Sequence, residues 1–203
     1  MPGMAVVTWI IINISWLCVY FYMTNKEDIM KHDKNFVASR SYEKFMAKVR
    51  PRRKLAILTC MDTRLTALLL AALNLKNGDA NIIKTAGAVI LDPFGATMRS
   101  LLISVHLLGA QEIFVIGHRD CGVCGMNSTM LTERMLASGV TQDRIDSVKD
   151  RGVDLNEWLR GFDDVCGSVR STVALIKEHP LIPPAIEVHG FVIDHDTGEL
   201  EEV

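Results

Sequence analysis

The chain has 203 residues, enough for one domain with an appendage. Its 22 Lys and Arg against 24 Asp and Glu give a formal net charge of −2, which excludes a broadly basic nucleic-acid binder and an acidic disordered tail. Hydrophobic residues make up 49% and charged residues 23%, so a sizeable core is available and global disorder is excluded as well.

The apolar excess sits at the start. Residues 1–22 carry no charged side chain and hold two of the three Trp and two of the three Tyr. They supply roughly four-fifths of the chain's positive hydropathy sum. Met4 to Tyr22 approaches the ~20 apolar residues that span a bilayer. Trp16, Tyr20, Phe21 and Tyr22 gather toward its end, as at a membrane interface. Thr8, Asn13 and Ser15 interrupt it, and it has neither a preceding Lys or Arg nor a following small-residue cleavage site, which argues against a secretory signal. Three readings fit this leader: a membrane-associating segment, an upstream extension from a misassigned start ahead of Met23, or a helix buried against a partner. The expected division is a leader, 1–22, and a globular unit, 23–203. The expected location is cytoplasmic, with membrane association only through residues 4–22.

Residues 26–50 mix charge with Ile29, Phe36, Val37, Tyr42, Phe45 and Met46, the pattern of one or two amphipathic helices that need something to pack on. Pro51-Arg52-Arg53 breaks that pattern. Lys54–Thr59 is a short apolar run ending at Cys60, consistent with a buried strand. Leu65–Leu75 reads as a helix, Asn81–Thr85 as a second strand, and Pro93–Leu108 as a helix with Pro93 near its first turn and Gly109 just past its end. Glu112–Gly117 is a third strand leading into His118. Residues 122–138 and 154–178 read as helices. Ile186–Asp194 is a fourth strand, and Thr197-Gly198 turns into a short last strand, Glu199–Val203. Strands alternating with helices predict an α/β fold, a mainly parallel central sheet of four to five strands flanked by helices. In such sheets, sites form at the carboxyl ends of strands.

Two polar clusters follow predicted strands: Cys60-Met61-Asp62-Thr63-Arg64 and His118-Arg119-Asp120-Cys121-Gly122. A Cys at one strand end and His-x-x-Cys at another offer two thiolates and an imidazole. That is a three-ligand zinc set with an open fourth position, the arrangement of a catalytic site. Zinc lowers the pKa of a water in that position toward neutrality, which makes a hydroxide nucleophile. In an extended segment Cys60, Asp62 and Arg64 point to one face. Asp62 can then accept a hydrogen bond from that water, with Arg64 pairing it and keeping it ionised. Taken singly, each motif has a bland reading as a buried thiol or a local ion pair. The conjunction at two strand ends is far more specific.

Cys60-x-Asp62-x-Arg64, then Ala86-Gly87, then Gly117-His118-x-Asp120-Cys121-Gly122 resembles the β-class carbonic anhydrases, closest to their short single-domain prokaryotic branch. The resemblance runs from about Asn25 to Val203. It implies a zinc lyase that hydrates CO2 to bicarbonate and a proton, with one Zn2+ per subunit held by Cys60, His118 and Cys121. It implies Asp62 and Arg64 as the catalytic dyad, with Ala86, Gly87 and Gly122 around the substrate pocket. It further implies a homodimer or higher homo-oligomer whose N-terminal helices pack on the partner subunit. In some members of that family the Asp itself ligates zinc and closes the site. Rivals on the same scaffold are a COS or CS2 hydrolase and a zinc or thiol redox sensor without significant catalysis.

Three features depart from the family pattern: Thr85 where many relatives carry Asn, the bulky Arg119 after the zinc His, and the second thiol in Cys121-x-x-Cys124. Cys124 is open to two sharper readings, an alternative zinc ligand or a disulfide partner of Cys121 that would eject the metal. A helix starting after Cys121 would favour its thiolate. Five cysteines without a secretion signal favour a reducing compartment. Cys166 and His106 read as structural residues within helices.

Overall fold

The structure is a computed structural model and describes residues 24–203. The leader, and every reading of it, lies outside the described residues. Among those described, no helix is long and apolar enough to cross a membrane. The chain divides into two units, one ending at Met46 and the other spanning Ala47–Val203.

The first unit contains helix α1 (Asn25–Ala38). Thr24 and Glu27 form a capping box, in which Thr24 Oγ1 accepts from the Glu27 N–H while the Glu27 carboxylate accepts from the Thr24 N–H. A 3-10 turn follows at Glu43–Phe45. No residue of α1 is buried, and Ile29, Met30 and Val37 are exposed.

The second unit is a five-stranded sheet with helices on both faces. Its strands are β1 (Leu55–Cys60), β2 (Ala80–Thr85), β3 (Glu112–His118), β4 (Glu187–Ile193) and β5 (Leu200–Glu202), in the order β2-β1-β3-β4-β5. All neighbours pair in parallel except β4 with β5. The helices are α2 (Leu65–Ala72), α3 (Ala96–His106), α4 (Ser128–Ala137), α5 (Gln142–Lys149), α6 (Leu155–Trp158) and α7 (Val165–Glu178).

β1 is buried along its whole length because it lies between β2 and β3 with helices above and below. Alternation sends its side chains to two cores. Ala56 and Leu58 join Val115, Met98, Leu101, Val169 and Ile176 on one face. Leu55 and Ile57 join Leu65, Leu69, Ile116 and Ile193 on the other, and Cys60 and Cys121 belong to this second cluster. Buried Thr59 donates to the Ile116 carbonyl at 3.0 Å, tying β1 to β3 immediately below the site.

Three expectations need correction, and one helix was not anticipated. The helix read over 122–138 begins at Ser128, capped by Asn127; residues 122–127 are held instead by a bridge between Cys124 and Phe162. The helix read over 154–178 is two, α6 and α7. Between them Gly161 lies against the Val123 carbonyl, where a Cβ would overlap that oxygen, and Asp164 starts α7 by accepting two N–H bonds. Pro93 precedes α3 rather than sitting in its first turn, since Asp92 accepts from the Phe94 N–H and the helix starts after Gly95. Helix α5 had no sequence signal: QDRIDSVK buries Ile145 alone.

Candidate metal centre

The neighbouring strands β2, β1 and β3 end side by side, and the carboxyl ends of β1 and β3 bring the two polar clusters together. Cys60 is the last residue of β1 and His118 the last of β3. Cys121 returns to them because Asp120 takes a left-handed conformation (φ 52), which turns the chain sharply after Arg119. The three ligand atoms lie within 4.8 Å of one another, and all three residues are buried.

The donor set fits zinc. The Cys60 and Cys121 sulfurs are 3.9 Å apart. Two thiolates at ~2.3 Å from a tetrahedral zinc would stand ~3.8 Å apart. His118 Nδ1 bonds the Arg119 carbonyl at 2.8 Å, which leaves Nε2 buried with no hydrogen-bond partner. A carbonyl on one ring nitrogen fixes the tautomer that offers the other to a metal. The Gly87 N–H donates to Cys60 Sγ at 3.3 Å. The Cys60 thiol is pulled well below its ordinary range, first by the Cys121 hydrogen bond and then by His118 and backbone N–H groups. Cys121 is pushed up, by that same bond and by burial. The expected helix-dipole contribution at Cys121 is absent, because α4 begins at Ser128.

Asp62 and Arg64 do not converge through an extended segment. The chain leaves β1 into a turn in which Asp62 Oδ1 accepts the Arg64 N–H at 2.9 Å, and α2 begins at Leu65. The Arg64 guanidinium then grips both carboxylate oxygens, Nε to Oδ1 at 3.0 Å and Nη2 to Oδ2 at 2.8 Å. This pairing holds the Asp62 carboxyl well below the usual carboxylate range. Asp62 Oδ2 stands 3.7 Å from His118 Nε2, so the carboxylate borders the position the three ligands enclose. Arg64 also reaches the next loop, donating to the Asp120 carbonyl at 3.0 Å and to its carboxylate at 3.3 Å. Sequence reasoning missed this contact, which joins residues 56 positions apart.

Residues 55–200 match the family model described as carbonic anhydrase. The chain belongs to the β-class carbonic anhydrases. YtiB of Bacillus subtilis, named as a candidate carbonic anhydrase, is 47% identical over 179 residues, covering 88% of this chain and 96% of that protein. Beta-carbonic anhydrase 1 of Mycobacterium tuberculosis is 34% identical over 155 residues, 75% of this chain and 83% of that protein. The crystal structure of β-carbonic anhydrase isoform I from Trichomonas vaginalis superposes with a TM-score of 0.80 at 35% identity, covering 89% of this chain and 97% of that one. Carbon disulfide hydrolases form a more distant branch, 29% identical over 162 residues in Saccharolobus solfataricus, 74% of this chain and 77% of that protein.

The other expected residues fall as follows in this carbonic anhydrase. Ala86 and Gly87 form a 3-10 turn after β2, with Gly87 in the left-handed region (φ 77) and the Phe162 ring packed over it. At Gly122 an added Cβ would meet open space, so no steric demand explains that glycine. Cys124 is exposed, donates its S–H to the Asp163 carbonyl at 3.3 Å and stands outside the ligand group. Arg119 is engaged with Glu201 at 2.7 Å. Thr85 closes β2, and its carbonyl accepts the Met61 N–H, which carries the β1 pairing one residue past Cys60.

Proposed function

We propose that Cys60, His118 and Cys121 hold the zinc of this carbonic anhydrase and that Asp62, held by Arg64, handles the proton beside it. The reaction is the reversible hydration of CO2 to bicarbonate and a proton. The observation that carries the residue assignment is the buried, unpartnered His118 Nε2 converging with two thiols. Zinc held there supplies a Lewis acid that lets water act as a nucleophile at neutral pH. The chain's own residues do the rest. The Arg119 carbonyl and the Gly87 N–H hold His118 and Cys60 in place. Asp62 stays ionised, so its Oδ2 can only accept: it takes a hydrogen bond from the attacking water and leaves the oxygen lone pair turned toward CO2. Arg64 keeps that carboxylate from rotating by bonding both of its oxygens. Bicarbonate departs and the proton passes to buffer.

Stopped-flow CO2 hydration by the zinc-loaded full chain between pH 6 and 9 tests the reading. One zinc per subunit without hydration would overturn it. The carbon disulfide hydrolases are more distant relatives, and no feature of this site favours their reaction. The redox reading finds no support at Cys124, whose thiol is bonded to Asp163.

The working form we propose is a homodimer or a higher homo-oligomer in the cytoplasm. Met61, Leu91 and Phe94 support the oligomer: they lie on segments leaving the site, and all three are exposed. The apolar residues of α1 offer a second surface for a partner copy. Cys60, Cys121, Cys124 and Cys166 are all free thiols, which suits a reducing compartment. Sedimentation of the purified chain gives its mass directly, and a monomer that is fully active would refute the oligomer.

A further inference from the structure

We propose that Glu201, on the edge strand β5, is a positioning residue for the metal ligand His118 and acts through Arg119. The inference rests on the zinc reading of the site and concerns what holds the ligand still.

The carbonyl that orients His118 belongs to Arg119, and three anchors fix that residue. Its N–H donates to the Ile193 carbonyl at the end of β4, 3.0 Å away. Its side chain crosses to β5, where Nη2 meets Glu201 Oε2 at 2.7 Å. The next residue, Asp120, is left-handed and is clasped by Arg64 through both its carbonyl and its carboxylate. The Arg119 carbonyl is thus suspended between the β4–β5 hairpin and Arg64, and it can turn away from Nδ1 only if one anchor gives. The same hairpin touches His118 a second time. The His195 ring, two residues past the end of β4, stands edge-on to it with centroids 6.3 Å apart.

The Arg119–Glu201 pair joins residues 82 positions apart, and each side chain is 57% exposed. An exposed ion pair adds little to the stability of a whole fold. Its leverage is local: it limits the torsions of one peptide whose oxygen sets a ligand's tautomer and direction. Outer partners of metal ligands commonly change affinity by tenfold or more. Glu201 stands one step further out, so an effect of about two- to fivefold is expected.

The experiment follows metal leaving the zinc-loaded full chain. Holoenzyme is mixed with a chromogenic chelator, and the rate of zinc transfer is measured for wild type, Glu201→Gln, Arg119→Met and the charge-swapped pair Arg119→Glu with Glu201→Arg. The visible spectrum of each cobalt-substituted protein is recorded in parallel, as is the melting temperature of each zinc-loaded protein. Each single variant is expected to release zinc about two- to fivefold faster and to shift the cobalt absorption. The swapped pair is expected to return both readouts toward wild type. Wild-type release rates in both single variants would overturn the proposal, whatever happens to the melting temperature. So would faster release that the swapped pair fails to reverse. Zinc content of the unchallenged proteins keeps this test apart from the ligand assignment: loss of zinc from wild type itself would refute the metal site, whereas a stably loaded wild type isolates the role of Glu201.

Discussion

Gly87 gives its backbone N–H to the sulfur of Cys60, 27 residues earlier in the chain, across 3.3 Å. The bond depends on two properties of glycine at that position. The residue is left-handed (φ 77), and a Cβ there would stand 2.8 Å from a ring carbon of Phe162. Gly87→Ala must therefore strain the backbone and displace an aromatic ring. A stability loss of about 1–3 kcal/mol is expected, read from denaturant unfolding. Zinc affinity should fall with it, since the thiolate loses a donor. Unchanged stability and affinity would show that the turn relaxes freely.

Asp62 and Arg64 act as one unit if the carboxylate orients the attacking water. Asp62→Asn keeps the shape and removes the charge. CO2 hydration at pH 8 should drop by about 10²-fold or more with zinc content intact. Arg64→Ala should lose a comparable amount, and the double variant should be little worse than either single one. Additive losses measured by stopped flow would mean that the two residues contribute independently.

Cys121 and Cys124 are separated by two residues but occupy different environments, one buried in the ligand group and the other exposed against the Asp163 carbonyl. Cys121→Ser should strip the tightly bound zinc. Cys124→Ser should retain one equivalent by metal analysis, and the variant should lose zinc to mild peroxide at the wild-type rate. Protection of zinc in Cys124→Ser would instead make the second thiol a redox partner.

At the amino end of β2, remote in the sheet from the carboxyl-end site, buried Asp79 accepts from Arg52 Nε at 2.8 Å and from the Lys76 N–H at 2.9 Å. The Arg52 hydrogen bond, then the Lys76 N–H, hold its carboxyl below the usual carboxylate range. A depressed folded pKa means that the unfolded chain binds the proton more readily. The stabilisation is therefore complete above an unfolded pKa of about 3.9 and is lost as pH falls through the lower folded value. Asp79→Asn should lower the melting temperature at pH 7 and flatten the acid side of the stability curve. The two proteins' curves should draw together below about pH 4. A constant offset at every pH would assign the loss to packing rather than to charge.

Much of this protein was legible in the chain. Short apolar runs located the first four strands, most clearly β1 and β3, which are largely buried and tolerate few polar residues, whereas β5 was legible only from the Thr197-Gly198 turn before it. The residues able to hold a metal were legible for a related reason: a parallel sheet delivers strand ends to one edge, so a Cys after one run and a His after another are brought together by topology. Helix α5 was not legible, because a helix that buries only Ile145 has no apolar stripe to read. Residues 122–127 and 159–164 were misread as helix because their local pattern permits one. What breaks it is contact between the two segments, the Cys124–Phe162 bridge and Gly161 against Val123. The residues able to hold zinc, the pairing of Asp62 with Arg64 and the sheet were thus legible in the sequence itself. Which carbonyl turns His118, which glycine meets Cys60, and which partners Arg64 and Arg119 take were decided only by the tertiary structure. Those contacts join residues 27 to 82 positions apart, with the exception of the His118–Arg119 bond, and no local pattern encodes which distant groups a fold will place within hydrogen-bond reach.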